Sequence, residues 1–487
     1  MIASMLPALS TTTTTLAPLP EFIGKYRVLR KLGEGATSEV FLCRDDFKDR
    51  EVAVKRVRAS ALADVSGGAL QARFFAAEAA LVGRLQHPNV VQIFDAVPDR
   101  HEPYVVMEYV PGTTLRPFCR TDQLLPLDQV VEIGFKCAMA LGYVSRQGLI
   151  HRDVKPANLL AVMAGEDIVD VKVSDFGSVL NLQADTTQVF RVGSLAYMSP
   201  EQLDGGALDA RADIYSLGAV LYHLIAGRPP FEAQAQSALM AQIYTAEPTP
   251  LTALRSGVDP ALDRAVQRAL EKSPDARYAG WDAFAQALSA LVANHQVPRG
   301  QAQGVLDSER FTLLRALEFF SQFGDVELWE VVHRAAWQRH PVGHPIYRRG
   351  EDGNTFHIIA AGAVDVHRDG QRVAHLGAGT SVGEMAYLAP NLELRRHSAD
   401  VVVVEPATTV SFTPESMARL SPGCRHLFDE AFIRVLVRRL HVAHEALAHP
   451  RRILGGDDPH APAVLPPEGA QPSWGGRRGL STVNAAG

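Results

Sequence analysis

His151-Arg152-Asp153-Val154-Lys155-Pro156-Ala157-Asn158, followed by Asp175-Phe176-Gly177, decides the fold of this 487-residue chain. The first stretch sets together a carboxylate able to take a proton (Asp153), a cation (Lys155) and an amide oxygen (Asn158), and Asp175 adds a second hard oxygen donor. A base, a charge-neutralising cation and oxygen ligands for a divalent ion are what phosphoryl transfer requires, because its catalysis is mostly positioning and electrostatics. A histidine-arginine-aspartate triplet alone arises by accident. The triplet with its lysine, asparagine and second aspartate in this order, and with partners upstream, does not.

Those partners lie toward the N-terminus. Gly33-Glu34-Gly35-Ala36-Thr37-Ser38-Glu39-Val40 joins two strand-like runs, Tyr26–Lys31 and Val40–Arg44. Glycines there let backbone amides come close to phosphates. Ser38 stands where a third glycine would complete the pattern, so this motif alone would read as an ordinary hairpin turn if nothing followed. Val52-Ala53-Val54-Lys55 follows as a short buried strand ending in a lysine, which needs a carboxylate to hold it. Glu78, in a helical stretch Arg73–Leu85 whose alanines (Ala76, Ala77, Ala79, Ala80) suit close packing, is the candidate; the bland alternative is a solvated helix charge. Tyr104–Val110 reads as a strand and hinge whose backbone at Met107, Glu108 and Val110 would meet an adenine edge.

This constellation resembles the eukaryotic-like (bacterial-type) Ser/Thr protein kinase family over residues 25–293. The resemblance implies a bilobal α+β fold using ATP and Mg²⁺. Gly33, Gly35, Val40, Ala53, Lys55, Met107, Glu108 and Val110 would then bind ATP, and Asn158 and Asp175 the metal. Asp153 would be the base, with Lys155, Lys55 and Glu78 as its catalytic companions. Lysine at 155 is the family's Ser/Thr pattern, implying hydroxyl acceptors on protein substrates. Met198-Ser199-Pro200-Glu201 resembles the end of the peptide-positioning loop, Glu201 pairing with Arg277, and Asp213 looks like the aspartate that braces the catalytic loop. Arg152 implies docking of a phosphate on the segment from Ser178 to Val192, with Thr186 and Thr187 as the acceptors and plain loop threonines as the alternative. A scaffold pseudokinase is disfavoured because Lys55, Asp153, Asn158 and Asp175 all stand.

Composition narrows the remainder. An apolar share of 47% and a charged share of 21% are those of a globular protein, and a net charge of −6 gives no basic field for nucleic acid. The four cysteines (Cys43, Cys119, Cys137, Cys424) form no C-x-x-C pair and read as reduced thiols. The apolar run Ile214–Ile225 is too short to span a bilayer, and the start lacks a basic signal-peptide region, so a cytoplasmic protein without a membrane partner is expected. Residues 1–24 and 450–487 read as a disordered leader and tail, and 294–309 as a linker.

Residues 310–449 carry a second pattern: a helix, short strands broken by glycines (Phe356–Ala361 and Val364–His367 either side of Gly362) with a hairpin turn at Asp369-Gly370, then a helix, as in a small β-barrel or jelly roll. Its order resembles the cyclic nucleotide-binding domain family, with Gly383-Glu384-Met385-Ala386-Tyr387-Leu388 opening the phosphate-binding cassette. The resemblance gives Gly383, Glu384 and Ala386 to cyclic AMP or cyclic GMP, together with Arg395, His397 and Ser398. His397 stands where the family has its phosphate-binding arginine. Histidine lacks the permanent charge and bidentate fork. Losing a charged hydrogen bond of roughly 1.5–3 kcal/mol weakens binding about ten- to a hundredfold. On an extended segment Arg395 would share the face of His397 and compensate. Either the domain senses a cyclic nucleotide and regulates in cis, or it is a nucleotide-independent contact or autoinhibitory module. The helix over Glu415–His449 would pack back as a hinge or support a homodimer.

Overall fold

The computed structural model describes residues 19–35, 38–58, 75–99, 102–178, 180–181, 195–298, 306–389 and 395–448. Thr186, Thr187 and residues 391–394 lie outside them. The described residues up to Ala431 belong to one compact unit, and those from Phe432 to a second.

An antiparallel sheet opens the chain: β1 (Phe22–Ile23), β2 (Tyr26–Glu34), β3 (Ser38–Asp45), β4 (Arg50–Val57), β5 (Ile93–Val97) and β6 (Tyr104–Glu108), in the order β1-β2-β3-β4-β6-β5. Strand β4 is central, which is why Val52, Ala53 and Val54 are all buried rather than alternating. Phe41, Cys43, Val52, Val54, Tyr104 and Val106 make its core. Of the expected helix over Arg73–Leu85, the described residues are helical only over 75–79; turns follow, with Gly83 at φ 69°.

The larger lobe is built on two buried helices, α1 (Leu127–Arg146) and α2 (Ala210–Ala226). Asp209 caps α2 by accepting from the Arg211 amide, and Gly227 ends it in the left-handed conformation. Its Leu217, Leu221 and Leu224 are essentially inaccessible, each burial stabilising by roughly 1.5–3 kcal/mol. A three-stranded sheet, β7 (Gly112–Thr114), β9 (Leu159–Ala164) and β10 (Asp167–Val173), holds the catalytic loop between β8 (Leu149–Ile150) and β9 and delivers Asp175 from the end of β10.

Helices α3 (Asp307–Arg315) and α4 (Asp325–Arg334) precede a second six-stranded antiparallel sheet. Its long central strands are β14 (Phe356–Arg368) and β17 (Asp400–Phe412), flanked by β12 (Ala336–His340), β13 (Pro345–Tyr347), β15 (Gln371–Leu376) and β16 (Ser381–Val382). The two strands expected either side of Gly362 are one. The chain passes through a bulge there, Gly362 at φ 81° lying so close to the Pro406 carbonyl that a Cβ could not fit. The hairpin turn at Asp369-Gly370 is present, with both residues at positive φ and Arg368 facing Gln371. A short helix α5 (Glu384–Tyr387) follows β16, and α6 (Pro422–Ala448) closes the described chain. All four cysteines are buried and unpaired. Among the described residues no helix is long and apolar enough to cross a membrane.

Candidate active site and the cassette

Strand β4 fixes Lys55 by register: it faces Val40 of β3 on one side and Val105 of β6 on the other. Its Nζ lies 2.6 Å from Glu78 Oε1 and 2.6 Å from Asp175 Oδ1. Burial works against the ammonium, yet Asp175 and Glu78 outweigh it and hold Lys55 above the ordinary lysine range. Burial also opposes the Asp175 carboxylate, which Lys55 nevertheless pulls well below its usual value. Glu78 moves the other way, pushed up by burial.

The catalytic loop is held by its backbone. Arg152 and Asp175 sit at φ 66° and φ 64°, a left-handed conformation that costs a non-glycine residue about 1 kcal/mol or more. Buried Asp213 stabilises the first of these by accepting from the amides of His151 (2.7 Å) and Arg152 (2.8 Å). Gln202 adds a bond to the Arg152 carbonyl at 2.6 Å. Inside the loop Lys155 Nζ reaches Asp153 Oδ2 at 2.7 Å, and Asn158 Nδ2 donates to the Asp153 carbonyl and Oδ2. With its amino group so engaged, Asn158 presents its oxygen, the hard donor Mg²⁺ takes. Glu201 grips the fully buried Arg277 through two bonds of 2.6 and 2.8 Å.

All eight residues expected to bind ATP line one cleft of about 390 Å³, as do Asn158 and Asp175. That volume suits a small ligand. Val40, Ala53, Val91 and Leu160 give it apolar walls, and the amide of Gly35 is turned onto the Ser38 carbonyl at 2.8 Å. The Glu108 carboxylate points elsewhere, bonding Lys172 at 2.9 Å, so only its backbone is offered to a base. Val91, Leu160 and Ser174 were not expected here. Ser174 ties its amide and hydroxyl to the Asn158 carbonyl, both at 2.9 Å, a contact that adjacency to Asp175 alone does not announce.

The cassette is a different case. Glu384 is 1% exposed and Ala386 is buried, both on α5 with Gly383 as its cap. His397 is buried too, its ring stacked on Tyr347 with centroids 3.8 Å apart. A Cβ on Gly353 would collide with Ala386 and with His397 Cε1, so this corner is packed tight. Burial lowers the His397 pKa, which keeps the ring neutral near pH 7. Arg395 does not share the face of His397, contrary to the expected alternation. The segment turns at 395 and bridges only at Arg396, opposite Asp352, so strand alternation does not apply. Arg395 and Ser398 are exposed while His397 is not.

A lysine held by two carboxylates, the braced Asp153 and the side-chain oxygens of Asn158 and Asp175 thus surround one cleft between a strand-built lobe and a helix-built one. Residues 26–290 match the protein kinase domain family, and the chain belongs to it. Residues 337–421 match the cyclic nucleotide-binding domain family. The chain is 37% identical over 304 residues to serine/threonine-protein kinase PknB of Mycobacterium leprae, covering 61% of this chain and 47% of that one. It is 39% identical over 302 residues to the PknB of Mycolicibacterium smegmatis (60% and 46%), and 36% over 292 to a probable serine/threonine-protein kinase of Streptomyces coelicolor (58% and 42%). The chain therefore spans under half the length of these relatives.

Proposed function

We propose that this chain is an ATP- and Mg²⁺-dependent protein kinase that phosphorylates serine and threonine hydroxyls, itself among its substrates. The observation that carries the reading is the convergence of Lys55, Glu78 and Asp175 at 2.6 Å contacts beside the Asp153–Lys155–Asn158 loop. Asp153 takes the proton of the attacking hydroxyl, and Lys155, already on its carboxylate, moves its charge toward the transferring group. Asn158 and Asp175 would hold the metal, whose role is to neutralise phosphate charge. Transfer of labelled γ-phosphate to the chain, abolished by Asp153→Asn, tests this; equal labelling of that variant would sink it.

The Arg152 side chain makes no direct salt bridge among the described residues, Asp213 attracting it only from a distance, which favours it as the dock for a phosphate at Thr186 or Thr187. A Thr186→Ala/Thr187→Ala variant should lose turnover relative to phosphorylated wild type, and unchanged turnover would remove the idea.

A second reading concerns residues 337–421. The stacked, neutral His397 favours a nucleotide-independent contact module over a cyclic AMP or cyclic GMP sensor. Calorimetric titration of the full chain with each nucleotide should give no heat; saturable heat would restore the sensor.

A further inference from the structure

Helices α3 and α4 pack on α1, and none of their residues lines the nucleotide cleft. At the centre of this contact is Lys136 of α1, with only 4% of its side chain exposed. Its Nζ lies 2.8 Å from Asp307 of α3, 3.0 Å from Asp170 of β10 and 4.0 Å from Glu132 one turn earlier. Burial opposes its charge, but Asp170 and Asp307 hold it above the ordinary lysine range. Glu132 accepts from the amide and hydroxyl of Ser308. Phe135 meets Phe311 and Trp329 at 6.0 and 6.1 Å, and Arg146 closes the far end on Asp325.

A buried lysine is stable only while carboxylates surround it. Here one of them belongs to the catalytic lobe and another to the element that follows it. The Asp170 oxygen that faces Lys136 also accepts from Asn89 Nδ2 at 2.8 Å. Asn89 donates in addition to the Val171 carbonyl, and its own carbonyl accepts from the Val173 amide, both at 2.8 Å. The Val173 carbonyl takes the Val91 amide at 2.9 Å. Two residues further on stands Asp175.

We propose that helices α3 and α4, which precede the second sheet, are a built-in positioning element for Asp175. By sharing Lys136 with Asp170, Asp307 sets the hydrogen bonds of Asn89 and of the end of β10, and so the seat of the Asp175 carboxylate. Lys136 and Asp307 are positioning residues; neither touches the cleft. The two helices thus act through α1, away from the residues that line the cleft. The proposal rests on the kinase reading for its kinetic signature but not for its structural one.

The test is Asp307→Asn in the full chain, with Asp325→Asn as the control at the other end of the same contact. For Asp307→Asn, kcat should fall about five-fold or more. The Mg²⁺ needed for half-maximal rate should rise while the peptide KM holds. Amide exchange over 171–175 should quicken. Asp307→Glu should restore all three, and Asp325→Asn should leave them near wild type. Asp307→Asn melting cooperatively with wild-type exchange over 171–175 overturns the proposal, as do equal effects of the two asparagine variants. Should Asp307→Asn not fold, Phe311→Ala loosens the same contact without altering charge, and unchanged exchange there overturns it too. Exchange decides the matter even if no phosphate is transferred, an outcome that would instead remove the kinase reading.

Discussion

Lys55 in the cleft and His397 in the cassette are the two side chains expected at phosphate positions, and the structure sets them in opposite surroundings. In the cleft charged groups converge: Lys55 holds two carboxylates, and Lys155 with the Asn158 amide holds Asp153. In the cassette the position that should carry a guanidinium carries an imidazole packed on Tyr347. Both regions match family models, so a matched fold guarantees neither chemistry nor its loss. What separates them is that Lys55 is charged and lines an open cleft, whereas His397 is stacked on Tyr347 in a packed corner.

The largest effect that could break this contrast is on the cleft side. Asp153→Asn should cost about 10²–10⁴ in rate, the usual worth of a positioned base, read in a steady-state transfer assay. Next comes Arg277→Ala, which leaves a half-buried Glu201 without its ion-pair partner. A loss of about 3–5 kcal/mol is expected on denaturant titration, and a loss under 1 would contradict a structural role for the pair. On the cassette side, burial, with His340 and His397 nearby, lowers the His357 pKa to about 4 from an ordinary 6.5. Because the folded value is depressed, the unfolded chain gains the proton first as pH falls. Stability is therefore whole above pH 6.5 and lost between there and about 4, by roughly 3 kcal/mol. His357→Gln should flatten that slope in melts of the barrel. The smallest change is expected of His397→Arg. Restoring the residue type alone should leave cyclic nucleotide binding undetectable at about 1 mM, because Tyr347 and the contact at Gly353 still fill the corner. Binding in that single variant would show that charge, not packing, divides the two sites.

Legibility followed the range of the chemistry. That Asp153, Lys155, Asn158 and Asp175 would lie together could be read because their spacing within a short stretch brings them onto one loop and the strand end beside it. The Asp369-Gly370 turn could be read because its positive φ values select those residues. Gly362 misled, since a glycine that ends a strand and one that bulges it look alike in sequence. Arg395 misled because alternation presumes an extended backbone. Tyr347 and His397 are fifty positions apart, and Lys136 and Asp307 further still. Nothing local marks such pairs, and a lysine on a helix is most often a solvated one.

The most direct test of the account is γ-phosphate transfer by the full chain with Mg²⁺, in the presence and absence of cyclic AMP and cyclic GMP. It predicts transfer that depends on Asp153 and is indifferent to either nucleotide. Transfer that rises or falls saturably with a cyclic nucleotide would contradict the reading of His397, and no transfer from a folded chain would contradict the reading of the cleft.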